Sequence, residues 1–267
     1  MPILRRRFVA RALSALSLLL VGCHATPARV DTLRIVTWNI HHAHGLDERV
    51  DVGRVADELR ALDADFVLLQ EVDVGVRRSA GVDIPSELAS RLGMYAAFEK
   101  NIDYQGGEYG NAILSRWPVA TRENLHYEML RRGEQRGLLT VSVDAPAGRL
   151  AVGCTHIDSR EDDAERMQNV GEIQATVAAR GLVAVGGDFN DLPGSRVHRA
   201  LARQLVDCWV EAGGGSDGGT YPADAPRKRI DWLLRAPGTD WRTESARVVP
   251  TSASDHCAVV FDLRRVR

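Results

Sequence analysis

The chain is short of cysteine, lysine and aromatic residues, and it has no long apolar run. Each shortage closes off a class of protein. Four cysteines in 267 residues are too few for a disulfide scaffold, and none stand in C-x-x-C spacing, so no thiolate metal site or redox pair is indicated. Cys154, Cys208 and Cys257 cannot all pair with one another. Cys154 and Cys257 lie in strand-like apolar runs and read as buried, inert thiols, with a single disulfide as the alternative. Only Lys100 and Lys228 are lysine among 34 basic residues, so no lysine-rich tract is present. The longest apolar run, Ala12–Val21, falls well short of the roughly 20 residues a bilayer-spanning helix needs. Internal repeats, heptads and low-complexity tracts are also missing, which excludes solenoids and coiled coils. What remains, 45% hydrophobic and 26% charged, is ordinary globular composition.

The N-terminus has the form of a targeting segment. Arg5-Arg6-Arg7 is a basic n-region, Ala12–Val21 an h-region, and Leu20-Val21-Gly22-Cys23 resembles a bacterial lipobox. The expectation is a lipoprotein-type signal over 1–22, lipidation at Cys23, a tether over 23–31 and one domain over 32–267. The protein is then a monomer anchored to a membrane by lipid in the bacterial cell envelope, with secretion as the alternative. Residues 1–22 hold four arginines and no acid, which leaves 30 basic against 36 acidic residues in the remainder. A net-acidic domain gains little from counterion release along a polyanion, which counts against a processive nuclease.

The domain alternates strand and helix signals. Leu33–Ile40, Asp65–Val72, Leu182–Gly187, Ile230–Arg235 and Cys257–Leu263 read as strands. Asp51–Leu62, Ile84–Leu92 and Asp162–Ala179 carry helical stripes, and hairpin-spaced strands fill 94–155. Gly213–Gly219 reads as a surface loop. Polar residues recur beside the strands: Asn39, Glu71, His156, Asp188, Asn190, Asp231, Asp255 and His256. One carboxylate after a strand is usually a cap or a solvated turn. Their repetition at separate strand ends predicts a single polar site on one rim of a sheet.

Seven segments carry a family resemblance: Thr37-Trp38-Asn39-Ile40, Leu69-Gln70-Glu71-Val72, Tyr109 to Arg116, Thr155-His156, Gly187-Asp188-Phe189-Asn190, Arg229-Ile230-Asp231-Trp232 and Ser254-Asp255-His256. In this order they resemble the endonuclease/exonuclease/phosphatase superfamily with its DNase I-like fold. The resemblance implies an α/β (α+β) fold, a four-layer sandwich of two packed mixed β-sheets flanked by helices. It implies a metal-dependent phosphoester hydrolase using Mg²⁺, with Mn²⁺ as an alternative, on a phospholipid headgroup, nucleotide or nucleic acid. Glu71 is then the principal metal ligand, with Asn39 beside it and Asp255 in the metal region. Asp188 deprotonates the attacking water, Asn190 fixes Asp188, His156 and His256 contact the phosphate, and Asp231 orients His256. No covalent intermediate is expected. Asn111 either donates to phosphate or makes strand-end hydrogen bonds. Arg136 either reaches the substrate or is a surface arginine, and Arg77-Arg78 is a weaker candidate. Many family members carry Asp at the position of His41; imidazole there, with His42 and His44 following, favours Mn²⁺ or Zn²⁺, unless these are ordinary loop histidines. The alternatives are a secreted nuclease and a non-catalytic binding lipoprotein of the same fold.

Overall fold

The computed structural model describes residues 31–215 and 218–266. The expected signal segment, Cys23 and the tether up to residue 30 lie outside the described residues, as do Ser216 and Asp217 of the glycine-rich loop.

In chain order the described strands are β1 (Thr32–Asn39), β2 (Phe66–Val74), β3 (Tyr95–Tyr104), β4 (Gly107–Ser115), β5 (Val119–His126), β6 (Gly137–Ala145), β7 (Gly148–His156), β8 (Ala184–Asp188), β9 (Val206–Asp207), β10 (Asp231–Arg235), β11 (Trp241–Val249) and β12 (Ala258–Arg265). The helices are α1 (Val52–Leu62), α2 (Ile84–Leu92), α3 (Ala164–Arg180), α4 (Arg196–Leu201) and α5 (Cys208–Glu211). Two six-stranded mixed sheets form, in the orders β11-β12-β1-β2-β4-β3 and β5-β6-β7-β8-β10-β9.

The central strands are apolar on both faces because both faces are covered. On β1 and β2, Leu33, Ile35, Phe66 and Leu68 enter the core between the sheets, while Val36, Trp38, Val67 and Leu69 meet α1 and α2. On the second sheet Val152, Cys154 and Leu233 face inward, while Val185, Trp232 and Leu234 meet Val170, Ile173 and Val177 of α3. Helix, sheet, sheet and helix make the expected four layers.

Helix ends follow local chemistry. Asp51 caps α1 by accepting the Arg54 N–H, and Asp83 caps α2 by accepting that of Ser86. Pro85 sits in the first turn of α2, and Gly93 ends it at positive φ. Cys154, Cys208 and Cys257 are buried and free, so the disulfide alternative does not hold. Burial pushes the Cys154 and Cys208 thiols up to about 12, which leaves them unreactive.

Candidate active site

Strand pairing delivers three polar side chains in one row. β7 runs parallel to β8 with His156 opposite Asp188, and β10 runs antiparallel to β8 with Asp231 opposite Asp188. The last residue of two strands and the first of the third therefore meet at one rim. Asn39, the last residue of β1, arrives at the same place from the other sheet. Its side-chain amide donates to Glu71 Oε1 at 3.0 Å and to Asp188 Oδ2 at 3.1 Å. His256 comes from the loop before β12, anchored by Trp38 Nε1, which donates to its carbonyl at 2.8 Å.

Glu71 does not end its strand, as the sequence suggested. β2 continues to Val74 and slips register between Leu69 and Val72, with Glu71 at φ 57°. This bulge inserts an extra residue and turns the carboxylate toward the cleft. The Asn39 side chain is held at both its oxygen and its nitrogen. Its Oδ1 accepts the His41 N–H at 3.1 Å, which fixes the amide with its NH₂ toward both carboxylates. Asn39 thus bridges Glu71 and Asp188.

Asp188 is fully buried and accepts the Asn190 N–H at 2.9 Å. Burial, with the Asp231 charge adding to it, pushes its carboxyl up to about 7 against the pull of His256. Asp231 Oδ2 accepts from His256 Nδ1 at 2.9 Å, which directs Nε2 at Asp188 Oδ2, 3.7 Å away. Burial opposes a charge on His256, but Asp231, Asp188 and the hydrogen bond to Asp231 outweigh it and raise the imidazole to about 10. His256 is therefore a cation at neutral pH. His156 is its opposite: burial first, then Arg136 and His256, hold it well below the ordinary histidine value. Arg136 can only donate, and its Nη1 lies 2.8 Å from His156 Nδ1. On its other side Nε2 lies 3.5 Å from Asp188 Oδ2 and 3.0 Å from the Asn190 amide nitrogen, also a donor, so the neutral ring accepts from either Arg136 or Asn190.

These groups line a cleft of about 380 Å³. Glu71, Arg136, His156, Asp188, Asn190, Asp255 and His256 all reach it, joined by Tyr221 and Lys228, which sequence reasoning missed. The Tyr221 ring packs on His256 at 4.8 Å between centroids. Lys228 is one of only two lysines and stands three residues before Asp231, which is the signal that was available. Asn111 does not line the cleft: its amide is buried and donates to Gly137 O at 3.1 Å and Cys154 O at 3.5 Å, tying the two sheets together. Of its two readings, the structural hydrogen bond is the one observed. Arg77 is exposed, while Arg78 chelates Asp73 through two bonds of 2.9 Å and lines a side pocket with Tyr104 and Tyr109. Glu71 and Arg136 border both this pocket and the cleft.

The donor set suits a hard divalent cation. Glu71 is half-buried and lines the cleft, has no cationic partner among the described residues, and shares that lining with the carboxylate of Asp255. Oxygen ligands in an open, hydrated cleft fit Mg²⁺ or Mn²⁺. Asp188, Asp231 and His256 form a second group, with potential ligand atoms within 4.8 Å of one another, in which Asp231 Oδ2 and His256 are already paired.

A sequence model of the Endonuclease/Exonuclease/phosphatase family matches residues 36–256. The uncharacterized protein YbhP of Escherichia coli strain K12 is 26% identical over 212 residues, 75% of this chain and 83% of the relative. The crystal structure of an endonuclease/exonuclease/phosphatase from Beutenbergia cavernae superposes with a TM-score of 0.73 at 25% identity, covering 88% of this chain and 72% of that one. The human Nocturnin catalytic domain, solved with bound sulfate, gives 0.70 at 20% identity over 89% and 95% of the two chains, a likeness of fold.

Proposed function

Because the chain belongs to the endonuclease/exonuclease/phosphatase family, whose members generally hydrolyse phosphoester bonds with a divalent metal, we propose that it is a metal-dependent phosphoester hydrolase. In this reading it works outside the cytoplasm as a monomer, anchored through lipid on Cys23. The observation that carries the chemistry is geometric: the buried Asp188 carboxylate lies 3.7 Å from Nε2 of His256, which Asp231 orients through Nδ1, and burial raises Asp188 above the ordinary carboxylate range. A base tuned near neutrality takes a proton from water far better than an ordinary carboxylate.

Glu71, with Asp255 on the same rim, would hold Mg²⁺ or Mn²⁺. Bound there, the ion neutralises charge on the phosphoryl and leaving oxygens. Asp188 accepts the proton of the attacking water, and the Asn190 N–H keeps its Oδ1 in place. His256, oriented by Asp231, presents a cationic N–H to the phosphoryl group, and the neutral His156 ring lines the same cleft. Arg136 lies against His156 Nδ1 and lines the cleft beside it.

The open cleft of about 380 Å³ adjoins the side pocket across Glu71 and Arg136, which leaves room for a group beside the phosphate. The candidates are phospholipid headgroups, nucleotides and nucleic acid ends. The test is a panel of plasmid DNA, RNA, phospholipids, inositol phosphates and a generic aryl diester, with Mg²⁺, Mn²⁺ or chelator. Chelator-sensitive hydrolysis of at least one substrate is expected. Hydrolysis of nucleic acid alone would make the protein a secreted nuclease, and metal-independent binding without turnover would make it a binding lipoprotein. For the anchor, Cys23→Ser is expected to abolish palmitate labelling and membrane retention, since stable anchoring takes more than one acyl chain. Equal labelling of both forms would contradict it.

A further inference from the structure

Three histidines gather where β1 runs out. His41, His42 and His44 follow Asn39 in one tight turn, in which Ala43 N–H donates to Ile40 O and His44 N–H to His41 O, both at 2.8 Å. The turn is wound in the direction L-residues avoid: φ is 45° at His41, 47° at His42 and 63° at Ala43. Three successive positive-φ positions without a glycine persist only where the surroundings hold them.

The winding brings the rings together. Ring centroids lie 4.6 Å apart for His41–His42, 5.2 Å for His41–His44 and 5.5 Å for His42–His44. One ring nitrogen from each residue lies within 4.8 Å of the others. His42 is only 7% exposed, and its Nδ1 is buried with no hydrogen-bond partner. A buried imidazole nitrogen is ordinarily satisfied, so an unpaired one marks a missing partner. Carboxylates back the outer rings: Asp255 Oδ1 is 3.6 Å from His41 Nδ1, and Glu48 Oε2 is 3.5 Å from His44 Nε2. A carboxylate supporting a ligating histidine is the usual second layer of a metal site.

We infer that His41, His42 and His44 bind a transition-metal ion of the zinc class, at a site beside the oxygen-lined phosphoester cleft, with Asp255 bordering both. Imidazole nitrogens suit Zn²⁺, whereas the carboxylates of the cleft suit Mg²⁺. Bonds of about 2.0–2.1 Å need ligand nitrogens roughly 3.4 Å apart in a tetrahedral site, so small ring rotations complete the set. The ion braces the loop that begins at Asn39, because His41 N–H holds the Asn39 side chain in place.

The test uses metal-free full-length protein titrated with Co²⁺ and then Zn²⁺. Wild type and Glu71→Gln are expected to bind one Co²⁺ with intense visible bands of four-coordinate character, displaced by Zn²⁺. The double variant His41→Gln/His44→Gln is expected to lose at least the roughly 100-fold in affinity that removing a supporting group alone can cost. Zn²⁺ should raise the melting temperature of wild type and leave that of the variant unchanged. If the double variant fails to fold, the single variant His44→Gln carries the same comparison. Weak six-coordinate bands in wild type overturn the inference. So do bands that survive in the histidine variant but vanish in Glu71→Gln, an outcome that would place the ion in the cleft and leave the hydrolase reading intact.

Discussion

At the scale of single residues, the chemistry turns on two neighbouring groups with opposite titration. Asp188 is raised to about 7 and His256 to about 10, so Asp188 can act as base while His256 remains a cation. A histidine with a raised pKa keeps its proton until the pH passes that value, so the alkaline fall in activity should come only as pH nears about 10, while protonation of Asp188 sets an acid limb near 7. Asp231→Asn removes the charge that supports the imidazolium. It should pull this alkaline limb down by roughly 1–3 pH units, the usual effect of one opposite charge in contact. It should also lower turnover by about 10²–10⁴-fold. A pH profile of kcat/KM for both proteins reads the shift, and an unmoved alkaline limb would remove His256 from the mechanism. His156, Asp188, Asp231 and His256 were legible as polar residues at the ends of apolar runs. The bulge at Glu71 was not, because no glycine marks its positive φ, and its neighbours read as unbroken strand. Tyr221 and Lys228 come from an irregular loop, where no periodicity points a side chain anywhere. Asn111 shows the converse: its motif position was conspicuous, but its amide holds the two sheets together.

At the scale of elements, the site depends on how closely β7 and β8 approach. Gly187 of β8 faces Thr155 of β7 at φ 152°, where an added Cβ would come within 1.8 Å of the Thr155 carbonyl oxygen. Thr155 and Gly187 immediately precede His156 and Asp188, so any widening there separates two site residues directly. Gly187→Ala should cost at least about 2 kcal/mol of stability, since it adds backbone strain to a steric clash. Turnover should fall with it at temperatures where the variant remains folded. Urea unfolding and activity together test this, and a variant with wild-type midpoint and rate would show that the spacing is not critical. Longer elements were legible because they repeat a pattern: α2 runs over the expected residues, helped by Pro85 at its start and Gly93 at its end. α4 and α5, with six and four residues, are too short to show a helical stripe, and α5 owes its start to the Asp207 cap.

At the scale of the whole molecule, two sheets covered by helices leave one rim where both contribute polar side chains. Asn39 and Glu71 come from one sheet, and His156, Asp188 and Asp231 from the other. The sandwich was legible because its central strands are apolar on both faces and its motifs stand in family order. The Asp231–His256 pair was legible through the family order, whereas the Trp38 to His256 contact was not, because it joins residues more than 200 positions apart with no local pattern to mark it. The central claim is that Asp188 supplies the base and Glu71 the metal site of one hydrolytic centre. The most direct measurement is the rate of phosphoester hydrolysis against Mg²⁺ or Mn²⁺ concentration for wild type, Asp188→Asn and Glu71→Gln, with circular dichroism to confirm folding. Asp188→Asn should lose about 10²–10⁴-fold at every metal concentration, roughly 3–5 kcal/mol of barrier, while Glu71→Gln should recover part of its rate as metal is raised. A folded Asp188→Asn protein that keeps wild-type turnover, or a Glu71→Gln protein with an unchanged metal requirement, would contradict the account.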